Sequence, residues 1–196
     1  RGQPTVHKKW DEAIAVLAGD ALQTLAFELV AQTDCAIKDR LILSTTLAQA
    51  AGIRGMVGGQ AMDIAAETAD TPLTLDQIIT LQKGKTGALI SWSAMAGPRM
   101  AGKADDPMQT YGDCLGLAFQ IADDVLDIEG NADEVGKAVG KDAAAGKATF
   151  VSLLGLDGAK TRAAQLVAEA CDALSVYGDD ADTLRDAARF VIDRKK

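Results

Sequence analysis

The run Phe119-Gln120-Ile121-Ala122-Asp123-Asp124-Val125-Leu126-Asp127-Ile128 is the stretch of this 196-residue chain with the most evident capacity for chemistry. At about 100° per residue in a helix, Gln120, Asp123, Asp124 and Asp127 fall within roughly a 100° arc. Phe119, Ile121, Ala122, Val125, Leu126 and Ile128 fill the rest of the circumference, so such a helix should be substantially buried. Like charges at i,i+4 cost a few tenths of a kcal/mol even on an exposed helix, and partial burial raises that cost. Between Arg99 and Lys137 the only basic residue is Lys103, so no cation in the same helix compensates. A hard divalent cation would. Mg²⁺ takes oxygen ligands and is usually shared between one or two carboxylates and substrate phosphate oxygens. The competing reading is a solvated acidic stripe, against which the surrounding apolar residues argue. On this reasoning the charge of Asp123 is a strain on the metal-free protein, and its removal should leave that form no less stable.

Cations that could complete such a site lie on both sides of it. Lys137, Lys141 and Lys147 follow, within Val135-Gly136-Lys137-Ala138-Val139-Gly140-Lys141-Asp142 and its continuation, and Lys85-Thr86-Gly87 precedes. Each alone reads as a surface loop. Together with the carboxylates they make a site of mixed sign, suited to a metal-bound diphosphate. The Gly-Lys-Thr at residues 84–86 is not a P-loop, because Ile79 stands where the first glycine belongs and no strand precedes it.

The remaining inventory excludes much else. His7 is the only histidine, which rules out a His-rich zinc site. Cys35, Cys114 and Cys171 are far apart and sit in apolar helical patterns, as reduced buried thiols in a cytoplasmic protein do. A net charge of −8 argues against nucleic-acid binding through bulk charge. No apolar run approaches the roughly 18 residues of a membrane span.

The elements that must position these groups read as helices throughout. Low aromatic content, abundant alanine and the absence of sustained period-two alternation predict an all-α fold and one helical domain over residues 1–196. Helices are expected over 10–31, 37–51, 54–67, from a Thr74–Gln77 capping box onward, over 88–100, from Asp105-Asp106-Pro107 to about Ile128, and over 158–177 and 182–193. Regularity should break at Lys83–Gly87. Gly58 and Gly59 inside a helix suggest close approach of another backbone or a ligand. Thr149 is a candidate cap for the helix after it. Residues 130–147, rich in Gly, Lys and Asp, read as a loop able to close over a ligand.

Read as a set, these segments resemble the trans-prenyl diphosphate synthases. Phe119-Gln120 through Asp127, with Gly136-Lys137, Asp142 and Lys147, is similar to that family's second aspartate-rich motif and trailing loop. Gly58-Gly59-Gln60-Ala61-Met62-Asp63 resembles its GGQ-x-x-D helix, Lys85-Thr86 its Lys-Thr motif, and Arg1-Gly2-Gln3-Pro4-Thr5 the end of its RRG-x-P-T segment. The matches run in order along nearly the whole chain, and are nearest to bacterial short-chain enzymes of the farnesyl or geranylgeranyl type.

The resemblance implies a bundle of long, mostly antiparallel helices around a central cavity, a homodimer, and several Mg²⁺ ions. It implies that Asp123, Asp124 and Asp127 hold Mg²⁺ at an allylic diphosphate contacted by Lys85, Lys137 and Lys147. Thr86 and Gln120 would line the reacting centre, Arg1 would contact isopentenyl diphosphate, and Gln60, Asp63 and Asp142 would support the contacting side chains from behind. It also implies a first aspartate-rich motif before Arg1, which the sequence lacks. Farnesyl diphosphate is the expected product and geranylgeranyl diphosphate the alternative. A terpene cyclase, or a non-catalytic helical partner subunit of a synthase, is a more remote reading. The Lys-Thr motif and the Gly-Lys loop favour chain elongation over cyclisation.

Overall fold

The computed structural model describes residues 2–129 and 148–194. Among them there is no strand. The helices are α1 (Val6–Lys9), α2 (Glu12–Ala31), α3 (Ile37–Ala51), α4 (Met56–Ala66), α5 (Leu75–Gln82), α6 (Ala88–Met100), α7 (Asp106–Glu129), α8 (Phe150–Ala173) and α9 (Asp182–Asp193). The expected loop at 130–147 lies outside the described residues.

Starts and stops follow local chemistry. The Asp11 carboxylate accepts from the Ile14 amide at 2.7 Å and opens α2. Reciprocal capping boxes, Thr74 with Gln77 and Thr149 with Ser152, open α5 and α8. α8 starts earlier than the apolar pattern suggested, because Gly155 at φ 71° permits a kink that joins two helical stretches. α7 begins at Asp106, one residue before the proline expected to lead it.

α7 is the central element, packed most extensively against α8 and then α6. Its Leu117, Ala118 and Ile121 meet Phe150, Leu166 and Val167 of α8 in one buried core. The Tyr111 hydroxyl donates to the Leu184 carbonyl at 2.8 Å and ties α7 to α9. Phe119 and Leu126 are half-buried, as the apolar circumference required, while Ile128 at the helix end is exposed.

Between α5 and α6 the helix does not stop. Lys83–Gly87 forms a single π-helical segment, so the expected break is a local widening within a continuous axis. Two glycines let neighbours reach it. A Cβ on Gly59 of α4 would lie 2.0 Å from the Lys85 amide nitrogen, and one on Gly116 of α7 would lie 2.9 Å from the Gly87 Cα. The close approach expected of the Gly58-Gly59 pair is therefore realised at both, at Gly59 against this segment and at Gly58 against the Ile53 carbonyl, 2.1 Å from where a Cβ would stand.

α2 stands apart. It has no buried residue, and Leu17, Leu22 and Leu29 are each more than half exposed. With a mean hydropathy of 1.6 it is long and apolar enough to cross a membrane. The sequence reading missed this because Asp20 and Glu28 interrupt the run without lowering its average enough.

Two outcomes test this packing. Gly59→Ala should destabilise the protein by about 2 kcal/mol in denaturant unfolding, through overpacking against Lys85. Burial pushes the Cys114 thiol from 9.0 up to about 11, with the Glu169 and Asp113 carboxylates adding to the rise and Arg162 opposing it. Since the folded value is the higher one, the neutral thiol's share of stability is complete below pH 9.0 and is lost as pH rises through about 11. Thiol-reagent kinetics at about pH 8 should therefore show Cys114 reacting only through unfolding events; immediate labelling of the folded protein would contradict this burial.

Candidate active site

Three elements converge on one polar pocket of about 160 Å³: α4 with Asp63, the α5 and π-segment face with Gln82 and Lys85, and α7 with Gln120, Asp123, Asp124 and Asp127. Ala148 and Thr149 close it at the start of α8. The four polar residues of α7 line this single pocket, as their arc on the helix required. Asp127 is buried and the other three are half-buried.

The π-segment explains how two consecutive residues serve different partners. Lys85 Nζ donates to Asp63 Oδ2 at 2.7 Å, and Thr86 Oγ1 donates to Gln120 Oε1 at 3.0 Å. The Gly59 and Gly116 contacts bring the backbones close enough for both. Asp63 thus holds the Lys85 ammonium toward the pocket. Gln120 in turn donates to Asp123 Oδ2 over a long 3.4 Å.

The carboxylates are held in different ways. Asp124 Oδ2 accepts from the Phe150 amide at 2.7 Å, at the N-terminus of α8, where a negative charge is favoured. Asp123 Oδ1 accepts from Arg194 Nη2 at 2.6 Å. That cation comes from the end of the chain, 71 positions away. The expectation that Asp123 is an uncompensated strain is therefore wrong: compensation comes from the residue after α9, out of reach of an argument confined to α7. Among the described residues no three acidic, histidine or cysteine side chains converge as a ready-made metal cage. The carboxylates line a wall of oxygen donors, which fits a hard cation that brings other oxygen ligands with it.

Of the expected site residues, Asp63, Lys85, Thr86, Gln120, Asp123, Asp124 and Asp127 come together here. Gln60 shares α4 with Asp63 but is exposed and lines no part of the pocket. Arg1, Lys137, Asp142 and Lys147 lie outside the described residues. Sequence reasoning missed Arg194, whose signal was a basic Arg194-Lys195-Lys196 end on an acidic chain. It also missed Gln82, whose buried Oε1 has no hydrogen-bond partner beside the pocket. His7, exposed and 3.2 Å from Thr5 Oγ1, has no part in the site.

Comparison with known proteins identifies the family. The polyprenyl synthetase family matches residues 1–184. The chain belongs to that family. Polyprenyl synthetases similar to it include farnesyl diphosphate synthases of Haemophilus influenzae, 41% identical over 100% of this chain and 67% of the relative, and of Escherichia coli, 40% identical over 100% and 68%. Among solved structures, an FPP/GFPP synthase from Zymomonas mobilis superposes with a TM-score of 0.87 at 47% identity, over 97% of this chain and 65% of that one. A geranylgeranyl pyrophosphate synthetase from Pyrococcus horikoshii gives 0.88 at 27% identity, over 99% of this chain and 71% of that one. The chain spans about two thirds of the length of these relatives. The all-α fold of this polyprenyl synthetase chain is that of its structural neighbours.

The Asp124 contact yields a direct test. Asp124→Asn keeps the shape but removes the charge facing the α8 terminus, and should cost about 1 kcal/mol in thermal or denaturant unfolding of the metal-free protein. An unchanged stability would show that this carboxylate does not hold α8.

Proposed function

We propose that the protein is a short-chain trans-prenyltransferase that condenses an allylic diphosphate with isopentenyl diphosphate, with farnesyl diphosphate as product. The observation that carries this reading is the pocket that unites Lys85 with the Gln120–Asp127 face, Thr86 being tied to that face by its hydrogen bond to Gln120, in a chain similar along its whole length to farnesyl diphosphate synthases. Geranylgeranyl diphosphate is the alternative product, since a chloroplastic protein named a putative geranylgeranyl pyrophosphate synthase is also 37% identical. Residues 1–196 would form one helical domain, the C-terminal portion of the synthase.

In this reading Asp123, Asp124 and Asp127 would hold Mg²⁺, which stabilises negative charge on a departing diphosphate when bound. Lys85, set toward the pocket by Asp63, faces the same anionic oxygens with its ammonium. Thr86 and Gln120 present oxygen dipoles to developing positive charge on the allyl group. Lys137 and Lys147 would add cations to the diphosphate, Asp142 and Gln60 would support them, and Arg1 would contact isopentenyl diphosphate. No tuned protein base is needed, because released diphosphate can accept the proton, which suits a chain with one exposed histidine.

The exposed face of α2 supports a homodimer. Leu22, Leu25 and Leu29 are exposed on a helix that has no fully buried residue, and covering such a face against a second copy removes apolar area from water. An aspartate at mid-helix, Asp20, costs about 3 kcal/mol in a bilayer, so an interface rather than a span suits α2 and a cytoplasmic location suits the protein.

The test is a product assay on the full-length protein with Mg²⁺, geranyl diphosphate and isopentenyl diphosphate, which should yield farnesyl diphosphate. Cyclised hydrocarbon would instead indicate a terpene cyclase, and no turnover a partner subunit. Asp123→Ala should lower turnover about a hundredfold, the loss expected for one metal ligand. It should also cost about 1–2 kcal/mol of metal-free stability, because it strands Arg194; the half-exposure of Asp123 keeps this below the value for a fully buried pair. Melting curves and steady-state rates on the same samples separate the two effects.

A further inference from the structure

The geometry points to Arg194 as a resident counter-cation that makes metal binding at Asp123 conditional on diphosphate, an inference that rests on the metal-site reading above. Arg194 is fixed on several sides. Its Nη2 donates to Asp123 Oδ1 at 2.6 Å and to the Phe119 carbonyl at 3.4 Å. Its Nε donates to the Val191 carbonyl at 3.2 Å, and its guanidinium stacks on the Phe119 ring at 4.1 Å. Only 7% of its side chain is exposed, against 34% for Asp123. Such an arginine is preorganised and does not shed its charge.

The two oxygens of Asp123 are thus unequal. Oδ1 is tied to Arg194, while among the described residues Oδ2 has only the long 3.4 Å contact from Gln120, and Asp123 stands on the pocket wall. Arg194 therefore acts in two ways. It orients Asp123, which favours a metal on Oδ2. It also places a permanent positive charge next to any such metal, which disfavours one. Orientation of one short side chain is worth a fraction of its rotamer freedom. Repulsion between this mostly buried guanidinium and a divalent ion held by Asp123 would be larger, because the pocket wall screens it poorly. The repulsion wins, and a bare cation binds weakly. An incoming diphosphate supplies anionic oxygens that offset Arg194, so cation and diphosphate bind together. Arg194 is a positioning residue in this scheme.

The experiment titrates Mg²⁺ calorimetrically into the full-length protein, wild type and Arg194→Gln, with and without inorganic diphosphate. Metal-free melting is recorded alongside, and Arg194→Lys is included to restore the charge. In wild type, diphosphate should strengthen Mg²⁺ binding strongly. In Arg194→Gln, Mg²⁺ alone should bind about tenfold tighter and the further gain from diphosphate should shrink. Arg194→Lys should return both values toward wild type. Mg²⁺ affinity that is unchanged or weaker in a folded Arg194→Gln overturns the inference while leaving the metal site standing. Absence of Mg²⁺ binding to wild type, with diphosphate present, overturns both.

Discussion

Three carboxylates on one narrow arc of a half-buried helix cannot persist without positive charge or polarised donors close by. That constraint organises this molecule. Asp124 meets it with the N-terminus of α8. Asp123 meets it with Arg194 at the end of α9. Each solution recruits a different element, so the electrostatic demand of α7 also fixes how the C-terminal helices dock on it. The apolar remainder of α7 then supplies the core contacts with α6 and α8.

On the opposite wall the controlling factor is close backbone approach. Gly59 and Gly116 let α4 and α7 press against the π-segment that carries Lys85 and Thr86. A regular α-helix would keep an even turn there; the wider π-turn lets these adjacent residues reach Asp63 and Gln120 on different helices. The Lys85 ammonium and the carboxylates share one pocket, with the Thr86 hydroxyl bonded to Gln120 on its wall, because these glycines remove side-chain volume at the crossings.

Much of this was legible in the sequence, and for definite reasons. The all-helical fold, the capping boxes at Thr74 and Thr149, and the common face of Gln120 to Asp127 depend on short-range periodicity and hydrogen bonding. So did the special role of Gly59, because glycine inside a helix has a cost that calls for a reason. What escaped was long-range. Arg194 lies 71 positions from Asp123, and an argument restricted to one helix judged that carboxylate unpaired. The kink at Gly155 hid the true start of α8. The exposure of α2 depends on what packs against it, which no pattern within Glu12–Ala31 reveals.

The central claim is that the α7 face is where a metal-bound diphosphate sits, and it is tested most directly by locating the metal. Crystals of the full-length protein grown with Mn²⁺ in place of Mg²⁺ and with inorganic diphosphate should give an anomalous peak about 2.1–2.2 Å from a carboxylate oxygen of Asp123, with diphosphate oxygens completing the coordination. A peak bound elsewhere, with the Asp123, Asp124 and Asp127 carboxylates uncoordinated, would contradict the account.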